Sequence, residues 1–249
     1  HLRCKCLIDE AKKAGADAVK FQCFDPEKLA EARGGKDRVL TEGLWAGRAL
    51  GDLYRQTYTP REWFPEFFRY TRSIGITLFS SVFDEEGVDY LETLGCPAYK
   101  IASPEITAHR LLQRVAQTRK PVVVSTGMAS DEDIRLALCA MLIAEPPSIV
   151  RCPDVALLHC VSAYPCAIED ARLGRIRELM KGRTIPVGLS DHTLGSVAPI
   201  IATALGASII EKHITLSRAD GGPDAAFSLE PAEFKQMVSD VKDAYASLG

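Results

Sequence analysis

Seven short apolar runs, at residues 17–23, 77–81, 98–103, 121–125, 155–160, 185–190 and 207–213, alternate along the chain with amphipathic stretches. The runs are uninterrupted and rich in Val, Ile and Leu, the pattern of strands buried on both faces of a parallel sheet. The stretches between them carry helix signals. Ser130, with Asp133 at the third helical position, reads as an N-cap ahead of Ile134, Leu136 and Leu138. Pro231 opens the last helix and sets Phe234, Met237, Val238, Val241, Tyr245 and Leu248 on one face. Such alternation implies right-handed βα crossovers, and 249 residues is about the size of one TIM-type barrel. The expected class is therefore α/β, a (β/α)8 barrel. A closed barrel needs an eighth strand, but the chain opens on a helix with Leu7, Ile8, Ala11 and Ala14 as its inner stripe. One barrel domain over residues 1–249, lacking its first strand, is the expectation. The long connection at 25–59 holds Trp45, Leu53, Tyr54 and Tyr58, enough apolar material to pack as a functional lid.

Composition narrows the partners. Hydrophobic residues at 47% and charged residues at 25% are ordinary for a globular core. A net charge of −3 implies neither nucleic acid nor an anionic membrane as partner. No apolar run approaches the roughly 20 residues that span a bilayer, and residues 1–16 alternate charge with helical periodicity, unlike a signal peptide. The eight cysteines, at 4, 6, 23, 96, 139, 152, 160 and 166, lack paired CxxC spacing, which argues against a zinc cluster. Reduced, buried thiols in a cytoplasmic protein fit their apolar surroundings better than a disulfide framework does.

Every apolar run ends in polar groups suited to anions or metals. In order these are Lys20 and Gln22; Ser80 and Ser81; Lys100 and Ser103; Ser125 and Thr126; His159 and Ser162; Ser190, Asp191 and His192; and His213. In a barrel these ends meet in one ring at the C-terminal face, where active sites lie. Lys20 and Lys100 start inside apolar strands, where an unpaired ammonium is costly and an anionic ligand would satisfy both; pairing with a helix carboxylate is the alternative. Hydroxyls at Ser103, Ser125, Ser162 and Ser190 can donate to phosphate or carboxylate oxygens, or cap the following helices. His192 and His213, at adjacent strand ends, suit Mn, Fe, Zn or Co, and a bound ion can polarise a carbonyl. His159 reads as a core or supporting residue. Asp224, on the Gly-Gly-Pro-Asp loop, is placed to meet a polyol or an amide, and Glu105 either caps a helix or touches substrate.

The runs Gly15-Ala-Asp-Ala-Val-Lys-Phe-Gln22, Tyr99-Lys-Ile-Ala-Ser103, Ser125-Thr-Gly-Met128, Leu158-His-Cys160 with Tyr164-Pro165, Gly188-Leu-Ser-Asp-His-Thr193 and Glu211-Lys-His213 resemble the sialic acid synthase family over the whole chain. Gly43-Leu-Trp-Ala-Gly47, Asp52-Leu-Tyr54 and Asp220-Gly-Gly-Pro-Asp-Ala-Ala-Phe-Ser-Leu-Glu-Pro231 are most similar to its pseudaminic acid synthase branch. The resemblance implies condensation of phosphoenolpyruvate (PEP) with an open-chain N-acetylated amino sugar. In this branch the sugar is 2,4-diacetamido-2,4,6-trideoxy-altrose, and the products are a nonulosonic acid and phosphate. It further implies a divalent metal (Mn2+, Mg2+ or Co2+) on His192 and His213 with Gln22 close by. PEP would be held by Lys20, Lys100, Ser103, Ser125, Ser162 and Ser190, and the sugar would face Tyr164 and Asp224. Family members carry an opening strand and a C-terminal antifreeze-like domain that reaches over a partner's barrel, so the likeness implies a homodimer for the full-length protein and a fragment here. Arg61, Val82 and Pro104 depart from the branch, Pro104 beside Ser103. N-acetylneuraminate or legionaminate synthesis is the nearest alternative; a metal-dependent pyruvate aldolase and an inactive barrel are the others.

Overall fold

A computed structural model describes residues 1–143 and 154–249. Helix α1 (Leu2–Ala14) leads into strand β1 (Ala18–Cys23), and the long connection that follows holds α2 (Pro26–Ala32) and α3 (Leu50–Thr57). Then come α4 (Phe64–Ile74), β2 (Thr77–Val82), α5 (Glu85–Thr93), β3 (Tyr99–Ile101), α6 (His109–Gln117), β4 (Val122–Ser125) and α7 (Asp131–Ile143). The chain continues through β5 (Val155–Cys160), α8 (Arg175–Met180), β6 (Val187–Asp191), α9 (Val197–Ala204), β7 (Ile210–Lys212) and α10 (Pro231–Ala246). The strands form one parallel sheet in the order β1 to β7, each paired with its sequence neighbour. Among the described residues no ladder joins β1 to β7, yet Lys20 of β1 reaches Glu211 of β7 at 2.9 Å. The sheet is therefore curled until its two edges face each other, the barrel-like α/β fold expected from the alternation.

Period-2 alternation divides the strand residues between two environments. Phe21, Tyr99, Ile101, Val122, Val124, Leu157, Val187, Leu189 and Ile210 point outwards, into the apolar layer under the helices. Phe64 and Phe67 of α4, Leu91 of α5, Leu112 of α6 and Ile134 of α7 close that layer from outside. The residues between them face the inside of the curl. Deep in it lie Ala156, Leu158 and Gly188, and nearer the C-terminal ends lie Lys20, Lys100, Ser125, Ser190 and Glu211. Gly188 has no room for a side chain, since a Cβ there would lie 2.2 Å from the Ile209 carbonyl and 2.7 Å from Leu158.

Local signals mark several element ends. The hydroxyl of Ser130 accepts from the Asp133 amide at 3.1 Å while Asp133 accepts from the Ser130 amide at 2.9 Å, the reciprocal cap expected for α7. Ile8, Ala11 and Ala14 are the buried stripe of α1. For α10 the stripe is shorter than the periodicity implied. Phe234, Met237, Val238 and Val241 pack, whereas Tyr245 is 71% exposed and Leu248, beyond the helix end, 55%. Periodicity marks a face but not how far along it the neighbouring surface extends. The 25–59 connection is also less irregular than expected: α2 and α3 are too short to show a period, although Asp25 caps α2 by accepting from the amides of Glu27 and Lys28. The seven cysteines among the described residues are unpaired thiols, with Cys23, Cys96, Cys160 and Cys166 buried and Cys6 exposed; Cys152 lies outside the described residues. Among the described residues no helix is long and apolar enough to cross a membrane.

Candidate active site

Side chains from five strands converge at the C-terminal end of the curl. Glu211 of β7 is the hub: its Oε1 lies 2.9 Å from Lys20 Nζ and 3.5 Å from Lys100 Nζ, and accepts from the Ser190 hydroxyl at 2.8 Å. Lys100 Nζ also donates to Ser125 Oγ at 2.7 Å. Lys100 is 2% exposed, and burial pulls its pKa down to about 8, with Lys20 pulling the same way and Glu211 opposing. Burial alone would push the Glu211 carboxyl up, but Lys100 and Lys20 outweigh it and hold the group well below the usual carboxylate range. With both lysines protonated, two ammonium groups face one carboxylate. The surplus positive charge in a water-poor setting attracts a further anion.

A second group of donors lies beside this cluster. Ser103, after β3, accepts from the Gly127 amide at 3.0 Å. Ser162, after β5, has a buried hydroxyl without a hydrogen-bond partner. A Cβ on Gly127 would stand 2.7 Å from the Ser162 hydroxyl and 2.9 Å from that of Ser103, so glycine at 127 keeps a small cradle open between the two serines.

The two strand-end histidines sit with ring centroids 5.5 Å apart. His192 Nδ1 lies 2.9 Å from the Val161 carbonyl, which can only accept, so this nitrogen carries the proton and Nε2 keeps its lone pair. Burial, reinforced by His213, lowers the His192 pKa to about 4 and keeps the ring neutral. His213 Nδ1 lies 3.5 Å from Asp224 Oδ2, and His213 holds the Asp224 carboxyl low against burial. Tyr164, which joins Pro165 through a cis peptide bond, stands 4.3 Å from His192, and Phe227 stands 4.9 Å from His213, centroid to centroid. Two oriented, aromatic-walled imidazoles suit a borderline divalent ion. Among the described residues no group of three or more His, Cys, Asp or Glu converges, so such an ion would need further ligands from Gln22, water or substrate.

Most of the sequence-derived site thus comes together: Lys20, Lys100, Ser125 and Ser190 around Glu211, Ser103 with Ser162 at Gly127, and His192, His213, Tyr164 and Asp224 side by side. Gln22 lies two residues beyond Lys20 on β1. Glu105 stands at the rim in an ion pair with Arg33. His159 turns outwards and bonds the Ala171 carbonyl at 2.7 Å, the supporting place the sequence suggested. Polar strand ends alone do not mark Glu211 as a site residue, though a carboxylate two positions before His213 has the same parity and so faces the same way.

The NeuB family model matches residues 7–249. The chain belongs to the NeuB family. The pseudaminic acid synthase of Campylobacter jejuni subsp. jejuni serotype O:23/36 is 41% identical over 242 residues, which are 97% of this chain and 69% of that protein. The pseudaminic acid synthase of Helicobacter pylori is 40% identical, over 96% of this chain and 68% of its own length. Among solved structures, the N-acetylneuraminic acid synthetase of Leptospira borgpetersenii serovar Hardjo-bovis superposes with a TM-score of 0.86 at 31% identity, covering all of this chain and 80% of that one. In this NeuB-family chain the motifs around Lys20, Lys100, Ser125, Ser190 and His213 fall at the strand ends, where the inward-facing polar residues gather.

Proposed function

We propose that this NeuB-family chain condenses PEP with open-chain 2,4-diacetamido-2,4,6-trideoxy-altrose, releasing phosphate and forming the nonulosonic acid pseudaminic acid. The observation that carries this reading is the paired ammonium cluster of Lys20 and Lys100 on Glu211, with the Ser103–Gly127–Ser162 cradle beside it. PEP carries a phosphate and a carboxylate, and the two donor groups answer them. The 40–41% identity to pseudaminic acid synthases supports this sugar over N-acetylmannosamine or a legionaminate precursor.

In this mechanism C3 of PEP attacks the sugar aldehyde, water adds at C2, and phosphate leaves with cleavage of the C–O bond. Lys20 and Lys100 bind and neutralise the PEP anion, with hydroxyls of Ser103, Ser125 and Ser162 filling its remaining acceptor sites, while the Ser190 hydroxyl donates to Glu211. Glu211, held ionised by Lys100 and Lys20, keeps both ammonium groups aligned. A divalent ion held by His192 and His213, with Gln22 near it, would polarise the aldehyde oxygen. Tyr164 and Asp224 bracket the sugar, and Asp224 also orients His213.

The test is phosphate release from PEP with Mn2+ against a panel of N-acetylated sugars. Release with the diacetamido-altrose alone is expected; release confined to N-acetylmannosamine would move the chain to the neuraminate branch, and PEP-independent use of pyruvate would make it an aldolase. His213→Ala is expected to lower Mn2+-dependent turnover by roughly 100-fold or more, with an unchanged circular dichroism spectrum. Full activity in that variant would end the metal assignment.

A further inference from the structure

Residues 25–59 leave β1 and return across the strand ends, and two contacts tie them to the mouth of the curl. Trp45 Nε1 donates to the Pro223 carbonyl at 2.9 Å, with its ring 5.3 Å from that of Tyr164. At the other end Arg33, the C-terminal cap of α2, forms an ion pair with Oε1 of Glu105, whose side chain is only 7% exposed. The second oxygen of Glu105, Oε2, is buried and has no hydrogen-bond partner. A carboxylate oxygen kept from water without a donor is costly, so Oε2 calls for a donor that the protein does not supply. The charged and titratable groups around Glu105 are Arg33 from α2, Lys100 from β3, Tyr54 from α3 and Tyr164 after β5, and the last three give it charge interaction without a bond.

From this geometry we infer that Arg33 determines specificity for the acceptor sugar, by holding Glu105 as an oriented acceptor for an acetamido N–H or a hydroxyl. The inference rests on the function proposed above. PEP is excluded as the partner of Oε2, because its phosphate and carboxylate would repel the Glu105 carboxylate. An acetamido sugar offers the N–H and O–H donors that a carboxylate needs. The planar guanidinium pairs with one oxygen and turns the other inwards, a restraint that a point charge does not impose as well. Arg33 is itself fixed: its amide bonds the Leu29 and Ala30 carbonyls, and its carbonyl accepts from Arg38 at 2.7 Å. Burial pushes the Glu105 carboxyl up while Arg33 opposes it. Without Arg33 the acid form gains ground, so sugar binding should improve as pH rises.

Steady-state kinetics on the chain with PEP, Mn2+ and 2,4-diacetamido-2,4,6-trideoxy-altrose test this with Arg33→Met and Arg33→Lys. In Arg33→Met the KM for the sugar is expected to rise roughly 10- to 100-fold, while that for PEP stays within about twofold. Its sugar kcat/KM should also climb as pH rises and the Glu105 acid form is lost, and Arg33→Lys should recover a large part of the loss. An unchanged sugar KM, a parallel rise in both KM values, or a lysine variant no better than methionine would overturn the assignment. Wild-type chain that released no phosphate with any acetamido sugar would instead remove the underlying function, and with it this role.

Discussion

Lys100→Met is expected to lower kcat/KM for PEP by roughly 100- to 1,000-fold, the range set by losing one partner of a buried, hydrogen-bonded charge pair. Methionine keeps the length and apolar stem of lysine, so the inside of the curl stays filled. The variant removes a charge that burial already disfavours, since the Lys100 pKa is pulled down to about 8. Glu211 retains Lys20 at 2.9 Å and Ser190 at 2.8 Å and is not left without a counter-charge. The loss therefore falls on anion binding and not on the fold, and circular dichroism of the variant should match the wild type. The same group predicts a pH limb. Below about 8 the free protein carries Lys100 as a cation and attracts PEP; above it the amine is neutral and does not. Wild-type kcat/KM for PEP should fall as pH rises through this value, and Lys100→Met should lack that fall. A variant within tenfold of wild type, or a wild-type profile flat across that range, would remove Lys100 from the anion site.

How much of this was legible beforehand depends on parity. Lys20, Lys100, Ser125, Ser190 and His213 could be picked out because polar side chains interrupt apolar runs near their ends, and a strand exposes alternate residues to the same side. That reasoning extends to Glu211, yet in isolation a carboxylate between an isoleucine and a lysine reads as an edge residue. Only the curl of the sheet, which brings β7 against β1 and β3, shows that it pairs with both lysines. From sequence alone Glu105 reads equally as a helix cap or a substrate contact, for a similar reason. Its partner Arg33 is distant in sequence and caps the end of a helix of seven residues, too short to announce itself by periodicity. The two histidines were legible as a pair, but the orientation of His192 is set by the Val161 carbonyl, a backbone contact that no residue type reveals. Tyr245 and Leu248 show the converse. Both have the right period, but the surface that would have buried them stops one turn earlier.

Asp191 and Lys212 put these two levels of description together, and they carry the second large expected effect. They are direct partners in the β6–β7 ladder, one residue before His192 and His213 respectively, and both point away from the site. Their side chains are 2% and 1% exposed, with Nζ and Oδ2 at 2.5 Å. Asp191 also accepts from the Thr193 amide at 2.9 Å and its hydroxyl at 3.1 Å, and Lys212 donates to the Thr193 carbonyl. Lys212→Met leaves a carboxylate buried without its cation, which costs about 3–5 kcal/mol. For a domain stable by about 5–15 kcal/mol, that is a large fraction of the whole. The double variant Lys212→Met with Asp191→Asn removes the stranded charge and keeps an acceptor for the Thr193 amide, so it should regain roughly half the loss. Urea denaturation of the wild type, both single variants and the double variant measures this as a closed cycle. A cost below about 1 kcal/mol for Lys212→Met would mean that water reaches the pair. A double variant no better than Lys212→Met would mean that the contacts to Thr193, and not the buried charge, hold the ends of β6 and β7 in register beneath the two histidines.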